Sequence, residues 1–419
     1  MEKINVLIEG LCPNGVPFQK LCDIGQFYHG LSGKTKSDFI DGNANFISYK
    51  NIYSHPALDV NPEEKVKIAP GEKQNIIKYG DILFTGSSET PDECAISSVV
   101  CEEPAENLYL NSFCFGLRPN SLDCLFPGFL KHYFRCRTFR AQAGRCASGV
   151  TRYNVSKKLL AEIEIPVPPL SVQKEIASIL DNFSELTAEL TAELTARKQQ
   201  YDYYRNQLLT SSCNAPYMKL GEVISFLRTG LNPRTHFKLN TPDATCNYVT
   251  VRELCGQNII CDNKTDKVNI AAVKRIQERS KLKIGDILFS GTGTIGRTAI
   301  IQQEPINWNI KEGVYAITPN TDIILPEYLL YYITSDSSMT EILSRSSGST
   351  VNSIPMSELK QIKIAVPSLN EQARIVSTLH KFETLTNDIS DGLPAEIECV
   401  RKQYEYYCDK LLSFKRAMV

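Results

Sequence analysis

The chain has 419 residues, of which 42% are hydrophobic and 22% are charged, and its formal net charge at pH 7 is −1. This length predicts about two to four domains, and the apolar content excludes a largely disordered chain. A net charge near zero provides no overall field that attracts nucleic acid or an acidic membrane, so a DNA-binding function would depend on local basic patches.

The N-terminal residues and the cysteines both indicate a reducing compartment. The opening MEKINVLIEGLCPNG lacks the apolar core of a signal peptide, and no run approaches the roughly 18 apolar residues of a membrane span. The 14 cysteines include no C-x-x-C pair, and a chain this long needs no disulfide scaffold, so we expect free thiols. We therefore predict a cytoplasmic protein.

An internal repeat of about 200 residues is the most informative feature of the sequence. This period is the size of a whole domain with its connector, well beyond the roughly 20–50 residues of a solenoid unit. The matching segments are 46–50 with 248–252, 80–84 with 285–289, 165–168 with 364–367, Gln173 with Gln372, and 201–204 with 404–407. The repeat predicts a short N-terminal segment and two domain-and-helix pairs, with boundaries at 1–13, 14–168, 169–213, 214–367 and 368–416.

The two predicted domains, 14–168 and 214–367, share one composition. Each contains short β-like runs such as ILFTG, FCFGLR and DILFSG, separated by glycine, proline, asparagine and serine. Short helices are predicted around 128–139 and 327–333. We interpret both as α/β domains with irregular sheets, so the expected fold class is α+β, with two such domains in tandem.

A long amphipathic helix is predicted after each domain. Apolar residues recur there every three or four positions and therefore share one helix face. The stripes comprise Ile176, Leu180, Phe183, Leu186, Leu190 and Leu194 in the first helix, and Ile375, Leu379, Phe382, Leu385, Ile389, Leu393, Ile397, Val400, Tyr404, Tyr407 and Leu411 in the second. About 40 helical residues span roughly 60 Å, more than one domain needs, so the two stripes predict a coiled-coil pair. Gly392 and Pro394 predict a kink or a restart in the second helix.

Motifs for catalysis, nucleotide binding and metal binding are weak. Residues 291–296 satisfy G-x-G-x-x-G, but a strand-like run follows where a helix is needed, which predicts a glycine-containing turn between strands. The GKT at 33–35 lacks the first glycine of a phosphate-binding loop, because that position is Tyr28. The five histidines have no metal-ligand spacing. We therefore predict no catalytic residue, no metal site and no cofactor on this chain.

Local basic clusters are the strongest functional signal. Segment 131–158 contains many lysines and arginines with interleaved aromatic residues and no acidic residue, and a second cluster lies at 274–297. Such patches can neutralise phosphates, and arginine can read guanine in the major groove, although a solvated helix face is the alternative interpretation. The candidate DNA contacts are Lys34, Lys36, Arg135, Arg137, Arg140, Arg145 and Arg152 in the first domain, and Arg228, Arg234, Lys238, Arg297 and Arg345 in the second.

Several segments, in the same order and twice, resemble the specificity subunit (HsdS) of type I restriction–modification systems. IEIPVPPLSVQKEIASIL at 163–180 and KIAVPSLNEQARIVSTL at 363–379 resemble the starts of its conserved helices. RKQQYDYYRNQLL at 197–209 and RKQYEYYCDKLLSF at 401–414 resemble the ends of those helices. The tandem TAEL at 187–194 is also familiar in this family.

This resemblance implies two target recognition domains joined by two antiparallel conserved helices, with each domain reading one half of a split, asymmetric site in double-stranded DNA. It also implies partners that carry the chemistry. Two modification subunits bind S-adenosylmethionine and methylate adenine, and restriction subunits use ATP and Mg to translocate and cleave DNA. The chain itself is then not an enzyme.

Two other functions stay open at the level of sequence. The chain could be the recognition part of a fused methyltransferase–nuclease, or a non-catalytic adaptor whose tandem domains bind proteins through the long helices. The first would require intrinsic S-adenosylmethionine binding. DNA affinity that is independent of sequence would favour the second.

Overall fold

The computed structural model describes residues 6, 10–210, 215–348, 351–387 and 392–417. They form two compact units: unit 1 is Met1–Thr191 with Glu396–Val419, and unit 2 is Ala192–Ala395. One 41-residue helix contributes its first half to unit 1 and its second half to unit 2. Because the units divide within the helices, the five predicted segment boundaries stay predictions.

Unit 1 is built from short strands and short helices that precede the long one. Its strands are β1 Phe18–Lys20, β2 Gly25–His29, β3 Ala44–Ile47, β4 Lys65–Val66, β5 Ile82–Thr85, β6 Ser87–Ser88, β7 Ser97–Val99, β8 Leu108–Leu110, β9 Cys114–Pro119, β10 Ala147–Gly149, β11 Tyr153–Val155 and β12 Glu164–Pro166. Its helices are α1 Leu21–Ile24, α2 Tyr49–Ser54, α3 Pro127–Tyr133, α4 Arg137–Arg145, α5 Lys157–Ala161 and α6 Leu170–Thr210, with 3₁₀ turns at Lys36–Phe39 and Pro91–Glu93.

The sheets of unit 1 are small and irregular, as predicted. Strands β2, β9, β5 and β7 form an antiparallel sheet in that order, and β3 pairs with β4 and, in parallel, with β8. Strands β10, β11 and β6 form a third sheet, and β1 pairs with β12. The core contains an aromatic cluster in which the Phe84 ring lies 5.4 Å from that of Phe115 and 5.6 Å from that of Phe134. Burial of these rings removes a large apolar area from water and so stabilises the small sheet.

Unit 2 repeats this construction. Its strands are β13 Tyr217–Lys219, β14 Ile224–Thr229, β15 Cys246–Val249, β16 Leu254–Cys255, β17 Asn258–Ile259, β18 Lys267–Val268, β19 Ile287–Ser290, β20 Thr298–Ile300, β21 Trp308–Ile310, β22 Val314–Pro319 and β23 Lys363–Ala365. Its helices are α7 Leu220–Val223, α8 Pro233–His236, α9 Ile270–Ser280, α10 Pro326–Ile333, α11 Asp336–Ser344, α12 Met356–Leu359 and α13 Leu369–Asn387, with a 3₁₀ turn at Val251–Glu253. The final helix, α14 Leu393–Leu411, belongs to unit 1 from Glu396 onwards.

The strand order of unit 2 matches that of unit 1. The antiparallel sheet β14-β22-β19-β20 corresponds to β2-β9-β5-β7, and β18-β15-β21 corresponds to β4-β3-β8 with the same parallel pair. Unit 2 adds the β16–β17 hairpin and helix α9. The internal repeat in the sequence is therefore one α+β architecture formed twice, and the predicted fold class is confirmed.

Helices α6 and α14 pair in unit 1. Val172 near the start of α6 and Leu411 at the end of α14 share one hydrophobic core. Arg416, just beyond α14, forms an ion pair with Glu164, just before α6. The end of α14 thus lies beside the start of α6, so the two helices run antiparallel, as predicted.

In unit 2 the second half of α6 pairs with α13, where the rings of Tyr204 and Phe382 stack at 5.8 Å.

A buried glutamine fixes the first turn of the helix that follows each domain. Gln173 accepts from the Phe126 N–H at 2.8 Å and donates to two backbone carbonyls at 2.6 and 2.7 Å. Gln372 makes the same three bonds in unit 2, including one from the Leu325 N–H at 2.8 Å. This equivalence explains the matched pair in the repeat, because a buried amide needs all of its partners.

Three smaller sequence predictions can be compared with the structure. The 291–296 glycine segment is a turn between antiparallel strands β19 and β20, as predicted. A new helix begins at Leu393 with Pro394 in its first turn, which confirms the predicted restart; the stripe position Ile389 lies outside the described residues. The cysteines among the described residues are all free thiols.

Candidate DNA interface

Two of the predicted DNA-contacting arginines are bonded inside unit 1. Arg135 donates to the carbonyls of Ile52 (2.6 Å), Tyr53 (3.1 Å) and Ser97 (2.6 Å), which ties α3 and α4 to the end of α2 and to β7. Burial lowers the pKa of Arg135 to about 10. Arg140 donates to three carbonyls of the 92–95 turn at 2.5–2.7 Å. Each of the two guanidinium groups therefore directs three hydrogen bonds into the fold.

Arg228, predicted to contact DNA, lies beside a buried aspartate of unit 2. Asp286 is fully buried and accepts from the Thr318 hydroxyl at 2.6 Å, while Arg228 donates to the same hydroxyl at 2.9 Å and to the Lys281 carbonyl at 2.6 Å. Burial raises the pKa of Asp286. Arg228 thus supports a buried carboxylate through a threonine.

Lys34 and Arg345 are held by acids. Lys34 lies 2.6 Å from the Glu72 carboxylate, and its side chain is 8% exposed. Arg345 pairs with Glu341 at 2.9 Å and with Glu358 at 3.2 Å. A phosphate would have to compete with these carboxylates, so both residues are weaker candidates than exposed ones.

The remaining candidates have exposed side chains. Apart from Arg152, their charged groups bond no other residue in the part of the chain that the structure describes. They are Lys36, Arg137 and Arg145 in unit 1, and Arg234, Lys238 and Arg297 in unit 2. Such residues are available to DNA phosphates, and all twelve assignments stay predictions.

Arg152 combines exposure with a fixed orientation. Its Nε donates to the buried Ser87 hydroxyl at 3.0 Å, and its guanidinium lies 5.9 Å from the centre of the Phe113 ring. It lines an open cavity of about 670 Å³ together with Tyr49 and Glu89. The two terminal nitrogens of Arg152 have no acceptor among the described residues.

The aromatic residues of this cavity were missed in the sequence analysis. Phe113 is 63% exposed and precedes β9, while Tyr49 begins α2 and its hydroxyl donates to the Ser87 carbonyl at 2.9 Å. Tyr49 and Phe113 are about 60 residues apart in the sequence, and Arg152 follows Phe113 by about 40 residues. The sequence carries no signal of this site, because the exposure of Phe113 is decided by the fold.

No cluster of residues suited to holding a metal ion is found among the described ranges. Within those same ranges, no helix has the length and apolar character needed to cross a membrane.

Comparison with known proteins identifies the family. The family model described as the type I restriction modification DNA specificity domain matches residues 13–197 and again 216–399. A putative type I restriction enzyme specificity subunit of Haemophilus influenzae is 36% identical over 70% of this chain and 74% of its own length. The EcoR124I/EcoR124II specificity subunit of Escherichia coli is 34% identical over 63% of this chain and 65% of its own.

Solved structures show the same fold at lower identity. A chain of a type I restriction–modification system superposes with a TM-score of 0.60 at 19% identity, covering 96% of this chain and 98% of that one. The HsdS subunit of Thermoanaerobacter tengcongensis gives 0.50 at 18% identity, over 97% and 99%. Subunits of this family recognise DNA and are not catalytic by themselves, since catalysis lies on partner subunits. The chain belongs to the type I restriction–modification specificity family, as a DNA sequence-specificity subunit whose two tandem domains fit recognition of a bipartite site.

Proposed function

We propose that each unit reads one half of an asymmetric bipartite DNA site, through the domains at 14–168 and 214–367, while segments 169–213 and 368–416 connect them. One observation carries this proposal: the specificity domain occurs twice on one scaffold, but the exposed basic residues differ between the copies. Two domains that share one fold but present different exposed residues can recognise two different half-sites. Lys36, Arg137, Arg145, Arg152, Arg234, Lys238 and Arg297 are the leading contacts.

The proposal places this chain in a cytoplasmic complex. Two modification subunits would bind S-adenosylmethionine and methylate adenine, and restriction subunits would use ATP and Mg to cleave DNA. The absence of a catalytic constellation in the sequence supports this division of labour. The near-zero net charge also supports this division of labour, because partner subunits would supply part of the contacts to the DNA phosphates.

Single-molecule methylome sequencing tests the function directly. Cells with this chain and its neighbouring modification subunit should show a split motif with methyladenine in each half, and cells lacking the chain should not. Exchanging one domain for that of a relative should change one half-site only. A change in both halves would contradict the modular reading, and binding that is independent of sequence would favour the protein adaptor.

A further inference from the structure

We infer that the cavity bounded by Tyr49, Phe113 and Arg152 is the base-reading site of unit 1, and that Arg152 reads a guanine there. This inference rests on the proposed function, and it adds a residue, a base and a geometry to it.

The guanidinium of Arg152 is held differently from those of the other candidate arginines of unit 1. Arginine recognises guanine by donating two parallel hydrogen bonds to O6 and N7 in the major groove, which needs a free, oriented pair of terminal N–H groups. Arg135 and Arg140 have used their terminal nitrogens on carbonyls, and Arg137 and Arg145 are exposed without an orienting bond. Arg152 is anchored through Nε alone.

The anchor of Arg152 is itself rigid. Ser87 is 6% exposed and lies on β6, which pairs with β11 through Ser87 opposite Asn154. The hairpin β10–β11 places Gly149 opposite Tyr153 and carries Arg152 at its tip. Gly149 has a φ of +153°, and a Cβ there would lie 2.0 Å from the Arg152 carbonyl oxygen, so the turn requires glycine. A pre-organised side chain loses less entropy when it binds.

The charges around the cavity are balanced, and its polar and aromatic groups suit a base edge. Glu89 is exposed on the cavity wall, and the Glu93 carboxylate accepts from Tyr53 at 2.9 Å and from Ser88 at 3.1 Å. Lys50 and Arg152 balance these two carboxylates, so the lining lacks the net positive charge of a phosphate site. A carboxylate can, however, accept from cytosine N4, and exposed aromatic rings can contact a thymine methyl or a base edge. The lining therefore carries groups that can contact base edges in the major groove of the duplex.

In unit 2, the position equivalent to Arg152 holds a different residue, while the backbone pairing and the glycine beside it are the same. Ser347 bridges Ser353 as Ser148 pairs with Asn154, and Gly348 adopts a φ of +145°. The residue that corresponds to Arg152 is Val351, which is 54% exposed. An exposed tip that is arginine in one copy and valine in the other is expected of a specificity-determining position.

The experiment uses the complex of this chain with its modification subunit and a pool of duplexes of randomised sequence. The domain exchange described above first assigns one half-site to unit 1. The wild type should require guanine at one position of that half. Arg152→Ala should reduce the preference for guanine at that position by about 5- to 150-fold and leave the other half-site unchanged.

Two variants and one control sharpen the result. Arg152→Lys keeps the charge but cannot form the two parallel bonds, so it should also lose the preference. Ser87→Ala should weaken the preference at the same position only. Arg145→Ala removes an exposed arginine without an orienting bond, so it should weaken binding to all sequences alike and leave the preference for guanine unchanged.

The outcomes separate this inference from the proposed function. If the wild-type complex shows no sequence preference, the proposed function itself is wrong. If its unit 1 half-site contains no guanine, or if Arg152→Ala keeps every preference or weakens all sequences equally, only the assignment of Arg152 is overturned. The unchanged second half-site in the same molecules verifies that each variant complex is folded and assembled.

Discussion

The two units differ most clearly where each domain meets its helices. In unit 1, Asp181 on α6 accepts from His132 Nε2 and from Lys131 Nζ, both at 2.7 Å, and His132 Nδ1 lies 3.0 Å from the Tyr404 hydroxyl. The carboxylate only accepts, so Nε2 carries a proton. Burial lowers the pKa of His132, so at neutral pH Nδ1 is unprotonated and accepts from the Tyr404 hydroxyl.

In unit 2, Glu383 on α13 accepts from the Tyr331 hydroxyl at 2.6 Å and from Gln257 at 2.5 Å. Tyr331 is the sixth residue of α10, as His132 is the sixth of α3, and Tyr201 stands where the repeat places Tyr404. The same joint therefore has two chemistries: an imidazole bonds the helix carboxylate in unit 1, and a tyrosine hydroxyl does so in unit 2.

A second difference lies at the buried aspartate that follows Gly80 and Gly285. Asp81 in unit 1 accepts two bonds from Arg118, at 2.9 and 2.7 Å, and one from the Tyr28 hydroxyl at 2.8 Å. In unit 2 the strand positions of Arg118 and Tyr28 hold Thr318 and Arg228. The arginine has thus changed strands between the copies, which explains why Arg228 is bonded inside the domain.

Breaking the Asp81 pair should have the largest effect. Arg118→Leu leaves a fully buried carboxylate without its cation and should cost unit 1 about 3 kcal/mol of unfolding free energy. Thr318→Val in unit 2 should cost less, about 2 kcal/mol, because it takes one hydroxyl donor from the Asp286 carboxylate rather than its cation. Hydrogen exchange of β5 reports on unit 1, and fluorescence of Trp308, the single tryptophan, reports on unit 2. Equal costs would contradict the difference between the two aspartates.

Removing the joint hydroxyls should have a smaller effect. Tyr331→Phe takes a donor from the Glu383 carboxylate and should cost unit 2 about 2 kcal/mol, because bonds to charged groups are the stronger ones. Tyr404→Phe removes a bond to a neutral ring and should cost unit 1 about 1 kcal/mol. Denaturant unfolding with the same two probes measures both. A larger cost for Tyr404→Phe would mean that His132 is charged at neutral pH.

Acid should weaken unit 1 before unit 2. Burial lowers the pKa of His132, and this outweighs the opposite effect of Asp181, so the unfolded state binds the proton more readily than the folded one. Stability is therefore full above the ordinary histidine pKa of about 6.5 and falls as the pH drops below it. Burial would raise the pKa of Asp181, but the bonds from His132 and Lys131 lower it, so its contribution is lost only at stronger acid.

Unfolding of each unit at a series of pH values between about 5 and 8 tests this difference. His132→Gln keeps a donor for Asp181 without a titrating ring and should remove the extra acid sensitivity of unit 1. His380→Gln is the matched control on α13 and should leave both profiles unchanged. An acid response of unit 1 that survives His132→Gln would assign it to another group.

Exposed basic residues should contribute least to stability. Arg137→Ala in unit 1 and Arg297→Ala in unit 2 should each change the unfolding free energy by no more than about 0.5 kcal/mol, since neither side chain bonds a described residue. Arg135→Ala, which removes three bonds to carbonyls, is the destabilising counterpart. A loss for Arg137→Ala as large as for Arg135→Ala would contradict the division into exposed and internally bonded arginines.

The sequence by itself determined the architecture of this protein. The repeat predicted two similar domains, the apolar stripe predicted the long α6, and the match of Gln173 with Gln372 marked the same buried anchor twice. These features are readable because helix periodicity is local and a repeated sequence folds to a repeated structure.

Only the tertiary structure decided which basic residues remain available. Arg135 and Arg140 look like DNA contacts in a basic run, but their acceptors lie 38–83 residues away in the sequence. The cavity beside Arg152 likewise gathers α2, β6 and the β10–β11 tip from separate segments. The sequence shows which residues are basic. Whether a basic residue is available to DNA depends on the carbonyls and carboxylates that folding brings within hydrogen-bond distance of it.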